Sequence, residues 1–276
     1  MIRCPTIRNA AVLAVALTGF AGQSVAAPQA LVAMASHHAT YKLSLLKSKG
    51  GNAPASAAGI IDYVFSGSSC DGYTTTFRQM TELQPAEGDA RLNDLRSTTF
   101  EDAGGTQYTF KTVSKNDQET VNDLDGRAAK QADGEVTVEI KPDTAKSPLG
   151  ADVLFPTEHL RKIIRTAKDG GKLLEASVYD GSDTGKKVFR TLSIIGAAIE
   201  SPSPDAAGQE QTLTSMQRWP VAISYFEPGK DEQPAYVLSF DLYENGISRA
   251  LRLDYGDFVL GGELTNLSIS GQKPCQ

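Results

Sequence analysis

The stretch Glu135-Val136-Thr137-Val138-Glu139-Ile140 decides the fold class, because it alternates polar and apolar side chains without interruption. Successive side chains of a β-strand point to opposite faces, so a period of two predicts one polar face and one apolar face. An amphipathic helix would place its apolar residues three and four positions apart instead. The segment is therefore predicted to be a half-buried strand with one side against a core.

The same alternation returns along most of the chain, before and after this stretch. Short β-prone runs are separated by clusters of Gly, Asn, Asp or Pro, which are the residues that favour turns. Because so many runs of this kind occur, we predict an all-β fold interrupted by one helix. Besides 135–140, the predicted strands are 41–45, 60–65, 73–83, 91–100, 107–113, 173–179, 188–195, 212–226, 235–243, 247–255 and 258–269.

Three of the connections carry stronger local signals than the rest. Asn245-Gly246 suits a type I′ hairpin turn, because both central residues of that turn need a positive φ. The turn-rich run from Asp180 to Lys186 lies between two predicted strands and predicts a second hairpin. Pro220 cannot donate a backbone hydrogen bond, so we expect it to break its strand or to mark an edge of the sheet.

One segment departs from the period of two. Leu160, Ile163, Ile164 and Ala167 fall at the spacing of a single helix face, which predicts a helix from about Glu158 to Lys168. A Pro-Thr pair precedes this segment and a Gly-Gly pair follows it, as is typical of helix ends. The apolar stripe needs a surface to lie on, so we expect the helix to plug or cover an open, curved sheet.

The first 26 residues are predicted to be a secretory signal peptide. Arg3 and Arg8 give a positive start, and the apolar run from Ala10 to Phe20 is too short to span a membrane. Ser24-Val25-Ala26 then supplies the small residues that a signal peptidase recognises. No later run approaches about 18 consecutive apolar residues, so we predict an exported, periplasmic protein that does not span the membrane.

The composition is that of an ordinary globular chain. Apolar residues make up 40% of it, which is enough for a sizeable core, and we expect residues 27–276 to form a single domain. The alternative is that the Ser-Pro-rich run at 201–208 links two domains. The net charge of −6 argues against nucleic acid as a partner. No residue pattern indicates a metal or another cofactor.

Of the three cysteines, Cys4 belongs to the predicted signal peptide, which leaves Cys70 and Cys275 in the mature chain. An even pair in an oxidising compartment favours one intramolecular disulfide. It would close a very long loop, worth on the order of 5 kcal/mol in loop-closure models. Two free thiols or an intermolecular bridge are the alternatives.

Candidate catalytic residues are few. His37, His38 and His159 lack the further ligands that a zinc site needs, and we expect surface or capping roles for them. The sequence contains no Gly-x-Ser-x-Gly nucleophile elbow. Asp254 and Asp257 are the pair we retain for an acid–base mechanism, but a solvated strand face is the simpler interpretation. We therefore expect a protein that is not an enzyme.

Several short motifs run in a characteristic order through nearly all of the mature chain and end at the near-terminal Cys275. The motifs are Ser68-Ser69-Cys70-Asp71-Gly72-Tyr73, Phe155-Pro156-Thr157-Glu158-His159, Tyr179-Asp180-Gly181, Trp219-Pro220-Val221 with Tyr225-Phe226, Leu242-Tyr243-Glu244-Asn245-Gly246 and Leu253-Asp254-Tyr255-Gly256-Asp257-Phe258. Each motif alone is weak, and their order makes the match specific. In this order the chain resembles the envelope integrity protein B (EipB) family of bacterial periplasmic proteins.

The resemblance implies more than the residue patterns do. It implies a β-spiral, which is an open, overlapping, barrel-like antiparallel sheet of roughly fourteen strands, near the upper size of open sheets, with a helix inside the curve. It implies a disulfide between Cys70 and Cys275. It also implies a non-catalytic role in cell envelope integrity and stress resistance, with a functional link to a periplasmic tetratricopeptide-repeat protein.

Three functions are compatible with these expectations. The first is a binding or scaffold protein whose open sheet takes up a protein or peptide segment, with Trp219, Tyr225 and Phe226 as candidate contacts. The second is a carrier of a lipid or lipoprotein in an apolar cavity under the helix. The third, and least favoured, is an envelope hydrolase that uses Asp254 and Asp257 as its two carboxylates.

Overall fold

The structure is a computed structural model that describes residues 32–51, 53–143, 145–203, 207, 211–229 and 233–271. These residues all belong to one compact unit. The predicted signal peptide, residues 1–26, lies outside the described residues, and so does Cys275.

In the described part of the chain, β-strands and two helices account for most residues, and all of the strands join one sheet. The helices are Pro156–Lys168 (α1) and Gln211–Thr214 (α2). The strands are His37–Ser48 (β1), Ser56–Ser68 (β2), Gly72–Gln84 (β3), Arg91–Glu101 (β4), Gln107–Asn116 (β5), Glu119–Lys130 (β6), Glu135–Ile140 (β7), Ser147–Ala151 (β8), Val153–Leu154 (β9), Leu173–Val178 (β10), Phe189–Ile195 (β11), Arg218–Phe226 (β12), Tyr236–Tyr243 (β13), Ser248–Asp254 (β14) and Phe258–Ile269 (β15).

The sheet has 15 strands in the order β8-β7-β6-β5-β4-β3-β2-β1-β15-β14-β13-β12-β11-β10-β9. Neighbouring strands are antiparallel, except that β9 runs parallel to β10. The all-β prediction is therefore confirmed, with a short second helix, α2, inside a run that was predicted to be strand. Strands β6, β8 and β9 were not predicted, because the many polar residues of β6 obscure the period of two and β8 and β9 are short.

The two edge strands of this sheet, β8 and β9, follow one another in the chain with only Asp152 between them. Asp152 adopts the left-handed region at φ 59°, which bends the chain sharply there. The chain thus leaves one edge of the sheet and immediately pairs with the other.

The sheet curls so that its β9–β10 end packs inside the curve of β5–β7. Tyr108 and Phe110 of β5 form one buried cluster with Phe155 and Tyr179, which flank β9 and β10. The rings of Tyr108 and Phe155 stack at 5.2 Å, and those of Phe110 and Tyr179 meet edge to face at 5.9 Å. This overlap is the spiral that the family resemblance implied, and that prediction is confirmed.

Helix α1 lies against the inner face of the same sheet. Ile163, Ile164 and Ala167 are buried in a cluster with Phe65 of β2 and Trp219 of β12, among others. The helix begins two residues earlier than predicted, because a proline at the first helical position has a suitable φ and lacks only an N–H that would be unpaired there. The prediction that an amphipathic helix covers a curved sheet is confirmed for α1, although the structure also contains the short helix α2.

The prediction for Pro220 is wrong, because it neither breaks β12 nor marks an edge. Strand β12 lies between β11 and β13, and Pro220 stands opposite Asp241 of β13. Its carbonyl accepts the N–H of Gly196 at 2.8 Å, while pairing with β11 begins only at Val221. The N–H and C=O of one residue face the same neighbour, so the absent donor points past the end of β11.

The hairpin predicted at Asn245-Gly246 is present between β13 and β14, but its assignment as type I′ is wrong. Only Gly246 has a positive φ, at 87°. Asn245 is buried, and its Oδ1 accepts the N–H of Ile247 at 3.2 Å. The N–H of Gly246 donates to the carbonyl of Tyr243 at 2.9 Å, as in the longer hairpin loop with one left-handed residue.

Candidate partner-binding site

The three aromatic residues proposed as contacts do not share one surface. Trp219 is only 4% exposed and packs in the core, so the structure argues against it as a contact. Tyr225 lies on the same side of β12 and stacks on Tyr236 at 4.4 Å. Phe226 follows it on the opposite, outer face, under the guanidinium of Arg190 at 4.4 Å. Successive side chains of a strand point to opposite faces, so Tyr225 and Phe226 lie on opposite sides of the sheet.

An apolar patch covers the outer face around Phe226. Leu173 of β10 is 63% exposed and stands opposite Ile194 of β11, which is 51% exposed. Leu192 continues the same face toward Phe226 and is half-buried. We call Leu173, Leu192, Ile194 and Phe226 the edge patch. Large apolar side chains that are this exposed and adjacent favour contact with another molecule.

Strand β10 pairs with β11 along its whole length, but among the described residues the first half of its other side, toward β9, has no partner strand. The carbonyl of Lys172 accepts the N–H of Ile195, so the backbone groups of Lys172 face β11. By the period of two, Leu173 and Glu175 face the other way, toward β9. Strand β9 pairs only with Ser177 and Val178. The N–H and C=O groups of Leu173 and Glu175 therefore border the edge patch, and no strand in the described part of the chain pairs with them.

The first turn of α1 is capped from a distant strand. Phe155 is the N-cap residue and makes no side-chain capping bond. Instead, the carboxylate of Glu101 accepts the N–H groups of Thr157 and Glu158, each at 2.8 Å. Burial raises the pKa of Glu101 to about 7, against the lowering effect of these two bonds. No local sequence signal connects Glu101 to the helix, and we did not predict this role.

His37 and His159 are buried, which contradicts the surface roles predicted for them. His159 lies on the inner face of α1, with its Nε2 3.4 Å from the hydroxyl of Thr191. Burial, and to a smaller extent the positive charge of Lys162, lower the pKa of His159 to about 4. A signal was available, because His159 precedes the buried Ile163 by four residues and so shares its helix face.

The carboxylate pair retained for hydrolysis belongs to a turn. Oδ1 of Asp254 accepts the N–H of Gly256 at 2.9 Å, and the carbonyl of Asp257 accepts the N–H of Lys49 at 2.9 Å. The side chain of Asp257 is exposed. Both residues thus organise the β14–β15 connection, and the geometry offers no support for an acid–base pair.

The space under α1 is occupied by its own side chains. Phe155 and Ile163 are fully buried, and Leu160 packs against the same core as Ile163. These are the residues whose packing would remove a carrier cavity. The arrangement therefore does not favour a preformed lipid pocket beneath the helix.

Cys70 is disulfide-bonded and follows a turn in which its N–H donates to Oγ of Ser68 at 3.2 Å. Since Cys275 lies outside the described residues, the pairing of these two cysteines stays a prediction. Within the described ranges, no three His, Cys, Asp or Glu side chains are grouped as a metal site would require. No helix in this part of the chain has the length and apolar character needed to cross a membrane.

Comparison with known proteins gives a consistent set of similarities. A family model described as EipB-like matches residues 28–270. The chain is 34% identical over 253 residues to the cell envelope integrity protein EipB of Brucella abortus strain 2308, covering 91% of this chain and 89% of that protein. A crystal structure of a β-barrel-like protein from Brucella abortus, described as a domain of unknown function, aligns with a TM-score of 0.82 at 33% identity. That alignment covers 87% of this chain and 100% of the other.

Proposed function

The chain belongs to the EipB-like family, and on that premise we propose that it maintains cell envelope integrity without catalysis, by binding an extended segment of a partner protein. The relative in Brucella abortus is named for cell envelope integrity. We place the protein in the periplasm, to which the predicted signal peptide at 1–26 would export it. A tetratricopeptide-repeat protein is the partner class that the family resemblance suggests.

The observation that carries this proposal is the β9-facing side of β10, whose first half has no partner strand among the described residues. Backbone N–H and C=O groups at a sheet edge pair readily with an incoming strand. Leu173 and Glu175 provide such groups on the β9-facing side of β10, and β8 pairs with β7 instead. An extended segment of a partner would continue the sheet beside β10.

The edge patch supplies specificity to this strand pairing. Side chains of an added strand alternate between the two faces, so every second side chain would lie on the face of the edge patch, next to Leu173. Apolar residues at these positions would cover the exposed surface. Hydrogen bonds along the edge supply binding energy for any extended peptide, and the patch selects apolar ones.

The test is site-specific photocrosslinking in cells whose only version of this protein is the variant that carries the crosslinker. A benzophenone amino acid at Glu175 should crosslink to one partner species, and the same amino acid at the exposed Val121 of β6 should not. Adding Leu173→Asp and Ile194→Asp should abolish the crosslink and sensitise cells to detergent. Val121→Asp is the matched control for an exposed apolar residue.

Two results would contradict the proposal. One is equal crosslinking from Glu175 and Val121. The other is full envelope integrity in cells carrying Leu173→Asp with Ile194→Asp at normal protein levels. Glu175→Pro adds a backbone test, because it removes an edge donor while leaving the bonds of β10 to β11 in place. It should weaken the crosslink without lowering thermal stability as much as a core substitution does.

A further inference from the structure

Arg161 carries a buried charge that no described residue neutralises. Its side chain is on the buried side of α1 and the residue is only 7% exposed. Neither Nε nor Nη2 has a hydrogen-bond partner in the described part of the protein. Burying an ionised group without a partner is strongly unfavourable, so the site calls for a group of opposite charge.

Two other arginines of this protein show what the edge of the guanidinium formed by Nε and Nη2 binds when it is paired. Nε and Nη2 of Arg78 donate to the two oxygens of Asp94 at 3.0 and 2.9 Å. The same two atoms of Arg127 donate to Glu139 at 3.0 and 2.8 Å. In each case Nε and Nη2 together donate to one carboxylate, through both of its oxygens at Asp94 and through a single oxygen at Glu139. Arg161 presents the same edge, buried and unpaired.

Tyr73 contributes a second unpaired polar group. The guanidinium carbon of Arg161 lies 4.9 Å from the centre of the Tyr73 ring. This cation–π contact provides no hydrogen-bond acceptor for Nε or Nη2, which stay unpaired among the described residues. Tyr73 is 2% exposed, and its hydroxyl has no partner among the described residues. Since all of these groups can donate, the missing partner must accept.

We propose that Arg161 and Tyr73 form a binding site for the carboxylate of a small apolar ligand. One guanidinium balances one carboxylate, whereas a phosphate dianion would leave a negative charge uncompensated in the same surroundings. Tyr73 belongs to the apolar cluster that contains Phe65 and Trp219, so the body of the ligand should be apolar. The C-terminus of an apolar peptide and a fatty acid both offer this chemistry. The site is separate from the β10 edge and does not rest on the proposed partner binding.

Entry to the site would pass under the segment 32–36, which is not part of any strand. Ser36 anchors this segment by donating from its hydroxyl to the carbonyl of Gly67 at 3.1 Å, and Gly67 stands opposite Tyr73 in the β2–β3 pair. Met34 of the same segment is buried in the cluster. Displacing the segment would open the core beside Tyr73.

Calorimetric titration of the purified mature protein tests the proposal with N-acetylphenylalanine, octanoate and inorganic phosphate. The neutral amides of the two carboxylates are the matched controls. We expect at least one carboxylate to bind about tenfold or more tightly than its amide, because charged hydrogen bonds of this kind are worth that ratio. Preference for N-acetylphenylalanine identifies a peptide C-terminus, and preference for octanoate identifies a fatty acid.

Variants separate the site from general packing. Arg161→Met should reduce carboxylate binding to the level of the amide and should raise the thermal midpoint of the ligand-free protein, because an uncompensated charge is removed. Arg165→Met, one turn further along α1, should change neither. Tyr73→Phe removes only the hydroxyl and should weaken carboxylate binding several-fold, which keeps the test valid if Arg161→Met fails to fold.

Three outcomes would overturn the proposal. In the first, neither carboxylate binds more tightly than its amide. In the second, a folded Arg161→Met protein still binds a carboxylate more tightly than its amide, or Tyr73→Phe binds the carboxylate as tightly as wild type does. In the third, phosphate binds more tightly than both carboxylates.

Discussion

Glu101, the last residue of β4, accepts the backbone N–H of Thr157 in the first turn of α1 at 2.8 Å, across 56 positions of the chain. The first N–H groups of a helix have no partner within the helix, and here a strand residue satisfies two of them. The negative carboxylate of Glu101 also interacts favourably with the positive, N-terminal end of the helix dipole. One side chain thereby fixes where the helix begins on the sheet.

Replacing this cap should destabilise the fold. We expect Glu101→Ala to lower the free energy of unfolding by about 1–2 kcal/mol, because two buried N–H groups lose their acceptor. Urea denaturation of the variant, with the exposed Glu119→Ala as control, measures the effect. An equal loss in both variants would mean that Glu101 does not cap the helix.

The pH dependence of stability should contain two opposing contributions. The pKa of Glu101 is raised from 4.5 to about 7 in the folded protein. The stability that this shift adds to the folded state is fully present below pH 4.5 and is lost as the pH rises through 7. The pKa of His159 is lowered from 6.5 to about 4, so its contribution is complete above pH 6.5 and is lost as the pH falls through 4. Each is on the order of 1–3 kcal/mol.

Single variants should separate these two contributions. Relative to wild type, Glu101→Gln should be less stable at pH 5 than at pH 7.5, and His159→Gln should be more stable at pH 5 than at pH 7.5. Unfolding free energies from urea titrations at the two pH values give both differences. Differences that do not change with pH would show that neither group titrates as described.

Gly181 is the tightest contact of the overlap between the two ends of the sheet. It has a φ of 71°, and a Cβ there would lie 2.6 Å from the ring of Phe110. Gly181→Ala should therefore cost about 2–4 kcal/mol, from backbone strain and overpacking together. Gly256→Ala, at φ 87° with no atom within 4 Å, should cost only about 1 kcal/mol. Similar thermal shifts in the two variants would argue against this packing.

If a disulfide joins Cys70 and Cys275, replacing one cysteine should destabilise the protein as much as chemical reduction of the wild type does. Cys70→Ser should lower thermal stability as much as a reductant lowers that of wild type, on the order of 5 kcal/mol in loop-closure models. The reductant should then have no further effect on the variant. Intact mass measurement must find wild type two hydrogens lighter before reduction. Full alkylation of unreduced wild type at both thiols would exclude the bridge.

Local sequence patterns predicted most of the strands and the long helix, but they did not predict which polar and aromatic side chains are buried. The alternation at 135–140 corresponds to β7, and the apolar spacing around Ile163 corresponds to α1, because each period is a property of a single element. Trp219 looked like a surface contact beside a proline, and His159 looked like a surface residue. Both are buried, since burial depends on which strands a residue meets across the sheet.

The amino-acid sequence by itself determined most of the strands, the long helix α1 and the positions of the hairpins, because hydrophobic period and turn chemistry act over a few residues. Only the tertiary structure decided that Glu101 caps α1. The same holds for two features of the described residues: the side of β10 near Leu173 has no partner strand, and Arg161 lies on Tyr73 without a counter-charge. These relationships join residues that are far apart in the chain. They arise from how the sheet curls and overlaps, which no local pattern encodes.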